Sequence, residues 1–561
     1  MTGQQCVDGI PVLHAETSGP TRAGLVFRVG QADETLPRRG ITHLVEHLAL
    51  HSTGVADYHY NGMTGLTHTS FVSAGTPEQV VTYLADVCAA LRELPVDRIV
   101  VEKDILRTEQ IWHGNPDGML IWRHGARDYG LPEYPEHTTA LTEADLREWV
   151  ARYFTRANAV LWVAGESVPD GLRLDLPDGE RRPAPAPSST LPSTPAWFAG
   201  SQPDVLWTGL VTAGPAGRVL ADLLGRRLAQ DLVVAGGLAS ATHASYDVLY
   251  GTVAQLTARA ALMPDKRRVL LGAFVDLLAS VAGCRITDEE VGTLVEAAME
   301  QTRHAERTGR GLPRQAERLL AGVPLISYEQ QVAALHEVTA TDVAAAAREA
   351  YDSGLLRTPA LDASWTGFAE APWRSAKAVT GRAFRSKNGH SRLIVGPDGV
   401  TSEHGENVGT VRYDDCAVVL CRADGGRVLI GHDAITVAAE PAWYGDEAVR
   451  EIDARVSPAL RSDQPARTAE QIGTLGEPPR VRAPLWAVLR RDAPIYGFVA
   501  RQLVGAAVLA FLGAILVMVG VTMATGNHAY GLGAIFVAPG AYLLQRQLRR
   551  MWQTVDPLIA R

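Results

Sequence analysis

The stretch Gly40-Ile41-Thr42-His43-Leu44-Val45-Glu46-His47-Leu48 decides the reading of this chain. On a helix, positions i and i+4 share a face, so the imidazoles of His43 and His47 can meet one metal ion, and Glu46, three residues after His43, points the same way. Zinc hydrolases need two such histidines, a third protein ligand, and a carboxylate that takes a proton from water. The plainer alternative is a solvated helix face that happens to carry two histidines. Working outward, Glu102 and Glu109 lie on a later predicted helix, two turns apart on one face. Glu109 is the candidate third ligand. Glu102 is a candidate to orient a histidine from behind and tune its basicity. Taken alone, that pair also reads as a charged surface stripe.

The surrounding pattern predicts an α+β unit. Apolar runs at Ala23 to Val29, Thr69 to Ala74 and Asn158 to Ala164 read as strands, and Gly40 to His51, Pro77 to Leu94 and Val96 to Trp112 as helices. Thr142 and Asp145 form a capping pattern that opens a helix over Thr142 to Phe154. His51, His59, His68 and His113 lack ligand spacing and are expected on the surface or in hydrogen bonds.

These residues resemble the M16 peptidases, the insulinase and pitrilysin group with the inverted zinc motif HxxEH. The resemblance runs from about Gly9 to Thr358 and rests on Gly40 to Leu48, Thr64 to Phe71, Glu102, Glu109 and Tyr153 to Val160. It implies two homologous α/β sandwich domains forming half of a clamshell, with zinc bound by His43, His47 and Glu109. Glu46 would be the general base for attack on a peptide carbonyl, and Glu102 would support the site. It also implies a peptide substrate and a second half-shell, either another copy or a related chain. Two departures stand out. Thr64-Gly65 stands where the family often has Asn-Ala, so the resemblance implies that a substrate-backbone contact is either lost or moved to Asn61. Val233 and Ser240 stand where active members place an Arg and a Tyr that reach over to the zinc.

Residues 181–204, rich in Pro and Ser, read as a linker between a first domain (1–180) and a second (205–358). Val338 to Val343 echoes Leu141 to Leu146, and Met263-Pro264 echoes Thr76-Pro77, which points to an internal duplication. Short strands over residues 380–462, closed by a helix at Asp446 to Ala454, resemble a small bacterial pleckstrin-homology-like domain. Cys416 and Cys421, five apart on one predicted strand, are expected on opposite faces.

After a linker (463–500), Leu503 to Thr525 holds 23 residues without a charge, enough to cross about 30 Å of hydrocarbon. Ala529 to Leu544 is a shorter second span within 501–546, with a re-entrant or interfacial segment as its alternative. Arg490, Arg491 and Arg501 precede the pair and Arg546, Arg549 and Arg550 follow it, so the positive-inside rule puts both flanks, the 547–561 tail and the peptidase domains on the cytoplasmic side of a cell membrane.

Composition narrows the function classes. Of a net charge of −9 over 561 residues, Arg480 to Arg561 contributes +7, which leaves −16 on the rest. An acidic body without a basic stripe excludes nucleic acid as the expected partner. Five scattered Cys lack CxxC spacing and indicate neither a disulfide framework nor a thiolate zinc site. The expectation is a membrane-anchored zinc endopeptidase. The alternative is a non-catalytic peptide-binding or assembly subunit that kept the fold. Lipid-headgroup binding by the third domain is disfavoured by its lack of clustered Lys and Arg.

Overall fold

The computed structural model describes residues 5–464 apart from 52–57, 114–117, 137, 284, 388 and 406, together with a few positions up to 475. The predicted hairpin (501–546), the basic tail and nearly all of the 463–500 linker lie outside the described residues. Among the described residues no helix is long and apolar enough to cross a membrane.

The first domain is built on strands β1 (Gln5–Val7), β2 (Ile10–Glu16), β3 (Thr21–Phe27), β4 (His59–Thr64), β5 (Thr69–Gly75) and β6 (Ala159–Gly165), in the order β1-β2-β6-β3-β5-β4. Helices α1 (Ile41–His51), α2 (Pro77–Arg92), α3 (Ile99–His113), α4 (Met119–His124) and α5 (Glu143–Tyr153) accompany it. Strand alternation sends Leu25, Phe27, Phe71 and Leu161 to one face, where they pack with Leu44, Leu48, Leu84 and Val150 of α1, α2 and α5. The capping box expected at Thr142 is present, and Thr76 and Thr339 form others.

The second domain repeats this plan with β7 (Ala196–Gly200), β8 (Asp204–Thr212), β9 (Ala239–Tyr250), β10 (Val253–Leu262), β11 (Leu355–Pro359) and β12 (Ala369–Glu370), ordered β12-β7-β11-β8-β10-β9. Each sheet has a matching parallel pair (β2 with β6, β7 with β11) followed by an antiparallel one (β6 with β3, β11 with β8), while the outer edges differ: β1 runs antiparallel to β2 and β12 parallel to β7. The duplication read from two weak sequence echoes is therefore a duplication of topology. Its helices are α6 (Pro215–Leu228), α7 (Arg267–Ala282), α8 (Asp288–Arg307), α9 (Leu312–Leu320), α10 (Tyr328–His336) and α11 (Ala340–Asp352). Helix α9 lends Ala316 and Leu320 to the far face of the first sheet, against Leu13, Val26, Val160 and Trp162.

The 181–204 stretch is more than a tether. Ala196–Gly200 is strand β7, because Ala196, Trp197 and Phe198 are apolar and pair with β11. Upstream, Ser188 and Thr190 hydrogen-bond to the backbone of α4. Buried Arg123 of α4 ties the two domains, donating to the Ser353 and Thr208 carbonyls at 2.9 and 3.2 Å.

The third domain has two four-stranded sheets, β13 (Arg382–Arg385), β14 (Ser391–Val395), β15 (Gly399–His404) and β16 (Asn407–Arg412), then β17 (Cys416–Arg422), β18 (Arg427–Gly431), β19 (Thr436–Ala439) and β20 (Arg461–Gln464), with α12 (Pro441–Tyr444) and α13 (Asp446–Asp453). The helix is not the last element, since β20 follows it and pairs parallel to β17. The expected opposition of Cys416 and Cys421 is also corrected. A register shift between Cys416 and Val418 flips the alternation, and both thiols enter the domain's own core.

His124 sits where α4, the 188–190 strap and the second domain meet. Its Nδ1 donates to the Ser188 carbonyl at 2.6 Å, while Nε2 is buried without a partner among the described residues. Burial outweighs that hydrogen bond and, with Arg123 alongside, pushes the imidazole pKa down from 6.5 to about 4. The unfolded chain therefore binds the proton first, and the stability His124 contributes is complete above about pH 6.5 and declines as pH falls towards 4. The loss is at most about 3 kcal/mol. Thermal midpoints measured between pH 7 and 4 should fall less steeply in His124→Gln than in the parent; equal slopes would refute this.

Candidate metal centre

Helix α1 begins under tight control. Glu34, a fully buried carboxylate, accepts from the Gly40 amide (2.9 Å), the Thr42 amide (3.0 Å) and Arg39 Nη1 (2.9 Å). A carboxylate at a helix N-terminus satisfies amides that have no partner within the helix and meets the positive end of the dipole. Gly40 adopts φ +93°, and a Cβ there would come within 2.7 Å of Glu136 Cβ.

From that start, α1 delivers its histidines side by side, with ring centroids 4.8 Å apart and planes at 85°. Glu109 on α3 reaches both: its Oε2 lies 3.8 Å from His43 Nε2 and 3.7 Å from His47 Nε2. One donor atom from each of the three residues can be chosen so that all lie within 4.8 Å of one another. Tetrahedral zinc with bonds of about 2.0–2.2 Å wants donors about 3.3–3.6 Å apart, so a few tenths of an ångström of side-chain motion would complete the fit.

Glu46 lies on the same face, buried, with Oε2 accepting from the Thr64 hydroxyl at 3.1 Å and 3.9 Å from His43 Nε2. Behind the ligands stand two further carboxylates. Glu102 Oε2 is 3.3 Å from His47 Nδ1, and its other oxygen meets Arg98. Glu136 Oε1 is 3.0 Å from His43 Nδ1. A carboxylate at Nδ1 selects the tautomer with its proton there and leaves each Nε2 lone pair facing Glu109.

The charges fit a cation. Glu46, Glu102, Glu109 and Glu136 converge on two histidines, with Arg39 and Arg98 as the guanidinium partners found at these carboxylates. The excess negative charge shows in the proton affinities. Burial pushes the Glu46 carboxyl up despite both histidines, and Glu109 adds to the rise. Burial opposes protonation of His43, yet Glu136, Glu46 and Glu109 together hold its pKa above the ordinary value. A divalent ion between His43, His47 and Glu109 would relieve both.

The structure thus brings together His43, Glu46, His47, Glu102 and Glu109. Asn61 sits apart from them: it is exposed on β4, on the face opposite Gly62 and Thr64, and its carbonyl accepts from Tyr83. Val233 lies in the helical turn Ala229–Ala235, and Ser240 is exposed at the start of β9. His68 pairs with Glu317 at 2.9 Å. Sequence reasoning missed Glu34, Arg39, Gly62 and Glu136. None falls in a periodic pattern with the motif, and only Gly40 at the helix start hinted at crowding there.

Gly62 of β4 faces Glu46, and a Cβ on it would lie 2.3 Å from Glu46 Oε1 and 2.8 Å from Leu50 Cδ1. Gly62→Ala should therefore cost about 1–3 kcal/mol in denaturant unfolding. Gly214→Ala, whose Cβ would meet nothing within 4 Å, should stay within about 0.5 kcal/mol of the parent.

No protein-family model matches the chain. The zinc protease PqqE of Helicobacter pylori is 25% identical over 175 residues, an alignment covering 27% of this chain and 39% of that protein. The chain therefore spans about two fifths of the curated relative's length. Among solved structures, a protease from Helicobacter pylori superposes with a TM-score of 0.54 at 18% identity, over 62% of this chain and 96% of that one. A peptidase M16 inactive domain from Pseudomonas fluorescens gives 0.50 at 12% identity, over 62% and 95%. The fold is M16-like.

Proposed function

We propose that this chain is a zinc metallopeptidase of M16-like fold that hydrolyses flexible peptides. The observation that carries the reading is the convergence of His43, His47 and Glu109 with Glu46 buried beside them. His43 and His47 would hold zinc through Nε2 and Glu109 through its carboxylate. When bound, the ion supplies Lewis acidity that polarises a carbonyl and lowers the pKa of water. Glu46, aimed by Thr64 and raised in proton affinity by burial, takes the proton as the water oxygen bonds to the scissile carbonyl carbon. It then hands a proton to the departing amine as the C–N bond breaks. Glu102 and Glu136 hold the imidazole rings.

Strand β4 is an edge of its sheet among the described residues, next to the strand position that supports Glu46, so an extended peptide can add to it through backbone hydrogen bonds. Val101, Ile105 and Thr108 line a shallow depression with Glu109 and offer apolar contact to side chains of that peptide. We also assign the missing half-shell to a second copy or a related chain, and the anchoring of the chain at a membrane to its C-terminal hairpin.

A second reading, a non-catalytic peptide-binding or assembly subunit, is favoured by Val233 and Ser240 and by the likeness to an inactive M16 domain. Metal analysis with peptide cleavage by parent and Glu46→Gln separates the two. The first reading expects bound zinc in both proteins and cleavage reduced by at least about 100-fold in the variant. Zinc without cleavage in the parent supports the second, and a parent protein that takes up no zinc sinks the metal reading.

A further inference from the structure

The two metal-facing histidines are supported from different places. Glu102, behind His47, belongs to α3 of the same domain. Glu136, behind His43, belongs to no helix or strand: it lies between the helical turns Asp128–Glu133 and Thr138–Ala140. What holds it is the packing on either side of that segment.

On one side is the start of α1. Arg39 donates from Nε to the Leu131 carbonyl at 2.8 Å and from Nη2 to the Pro132 carbonyl at 3.4 Å, and its Nη1 lies 3.7 Å from Glu136 Oε1. On the other side is the third domain. The Ala126 amide donates to the His432 carbonyl at 3.0 Å. Leu36, Ala126 and Leu131 bury themselves with Ala417, Val418 and Ile430 of β17 and β18. Strand β20 packs on the Thr138–Ala140 turn just beyond Glu136. The register shift that sends Cys416 inward is also what frees Ala417 and Val418 for this contact.

We infer that the third domain acts as a brace for the metal centre, clamping the 126–140 segment against α1 so that Glu136, a positioning residue, sets the tautomer and orientation of His43. This rests on reading His43, His47 and Glu109 as metal ligands. It gives the third domain a role independent of any ligand of its own. It also predicts asymmetry: thinning the contact between the third domain and the 126–140 segment disturbs the His43 side of the centre and spares the His47 side.

The test uses the full chain and measures zinc affinity by competition with a chelator, together with the visible spectrum of the cobalt-substituted protein. Glu136→Gln should bind zinc about 10–100-fold more weakly with an altered cobalt spectrum. Val418→Ala, which thins the contact, should weaken binding about threefold to thirtyfold in the parent background and add little to Glu136→Gln. Leu429→Ala, whose side chain points into the third domain's own core, should leave affinity unchanged. Parent affinity in Glu136→Gln overturns the inference, as does an equal loss from Leu429→Ala and Val418→Ala. A parent protein that binds no zinc overturns the metal reading itself, so the two failures are distinguishable. If Val418→Ala fails to fold, Leu131→Ala on the facing segment takes its place under the same criteria.

Discussion

The arrangement depends on one buried carboxylate. Glu34 accepts two amides at the start of α1 and a guanidinium from Arg39, so helix position, dipole and an ion pair are settled at one point. A buried anion left unpaired would be costly, whereas one with three donors is held firmly. Arg39 then reaches onward to the 131–132 carbonyls, and the same contact that anchors the helix also draws in the segment carrying Glu136. Within its first two turns the helix presents His43, Glu46 and His47 at positions fixed by that start.

The duplicated fold shows how little of this is due to topology. The two sheets share their strand plan apart from the sense of the outermost pair, and α6 lies between β8 and β9 as α1 lies between the equivalent β3 and β4. Pro215–Leu228 contains no histidine. One copy concentrates five carboxylates and two imidazoles around one helix, and the other buries Val219, Leu220, Leu223 and Leu224 and serves as scaffold. The second copy also contributes α9, which covers the far face of the first sheet and keeps its strands buried on both sides.

The third domain is continuous with this scaffold through an apolar contact that touches both the approach to α1, at Leu36, and the segment leading to Glu136, at Leu131. Packed interiors transmit displacement because they contain few voids to absorb it. A small domain whose sequence shows no ligand-binding pattern thereby acquires a mechanical connection to a site it does not contribute a ligand to.

Short-range information was legible in the sequence. The i, i+4 spacing of His43 and His47, the capping box at Thr142, and the apolar runs of β3, β5 and β6 each depend on residues within one or two turns, and the structure has them there. Strands β4 and β7 were not legible. His59–Thr64 carries Asn and Gly, and Ala196–Gly200 hides at the end of a Pro/Ser-rich run, so their strand character comes from pairing partners rather than from pattern. Glu136 stands 93 positions from His43 and contacts it only because the chain folds back. The sequence by itself determined which side chains could hold a metal, because helical periodicity is local. Tertiary structure alone decided most of how those side chains are held, because Glu34, Gly62 and Glu136 act through contacts between elements that no spacing rule connects.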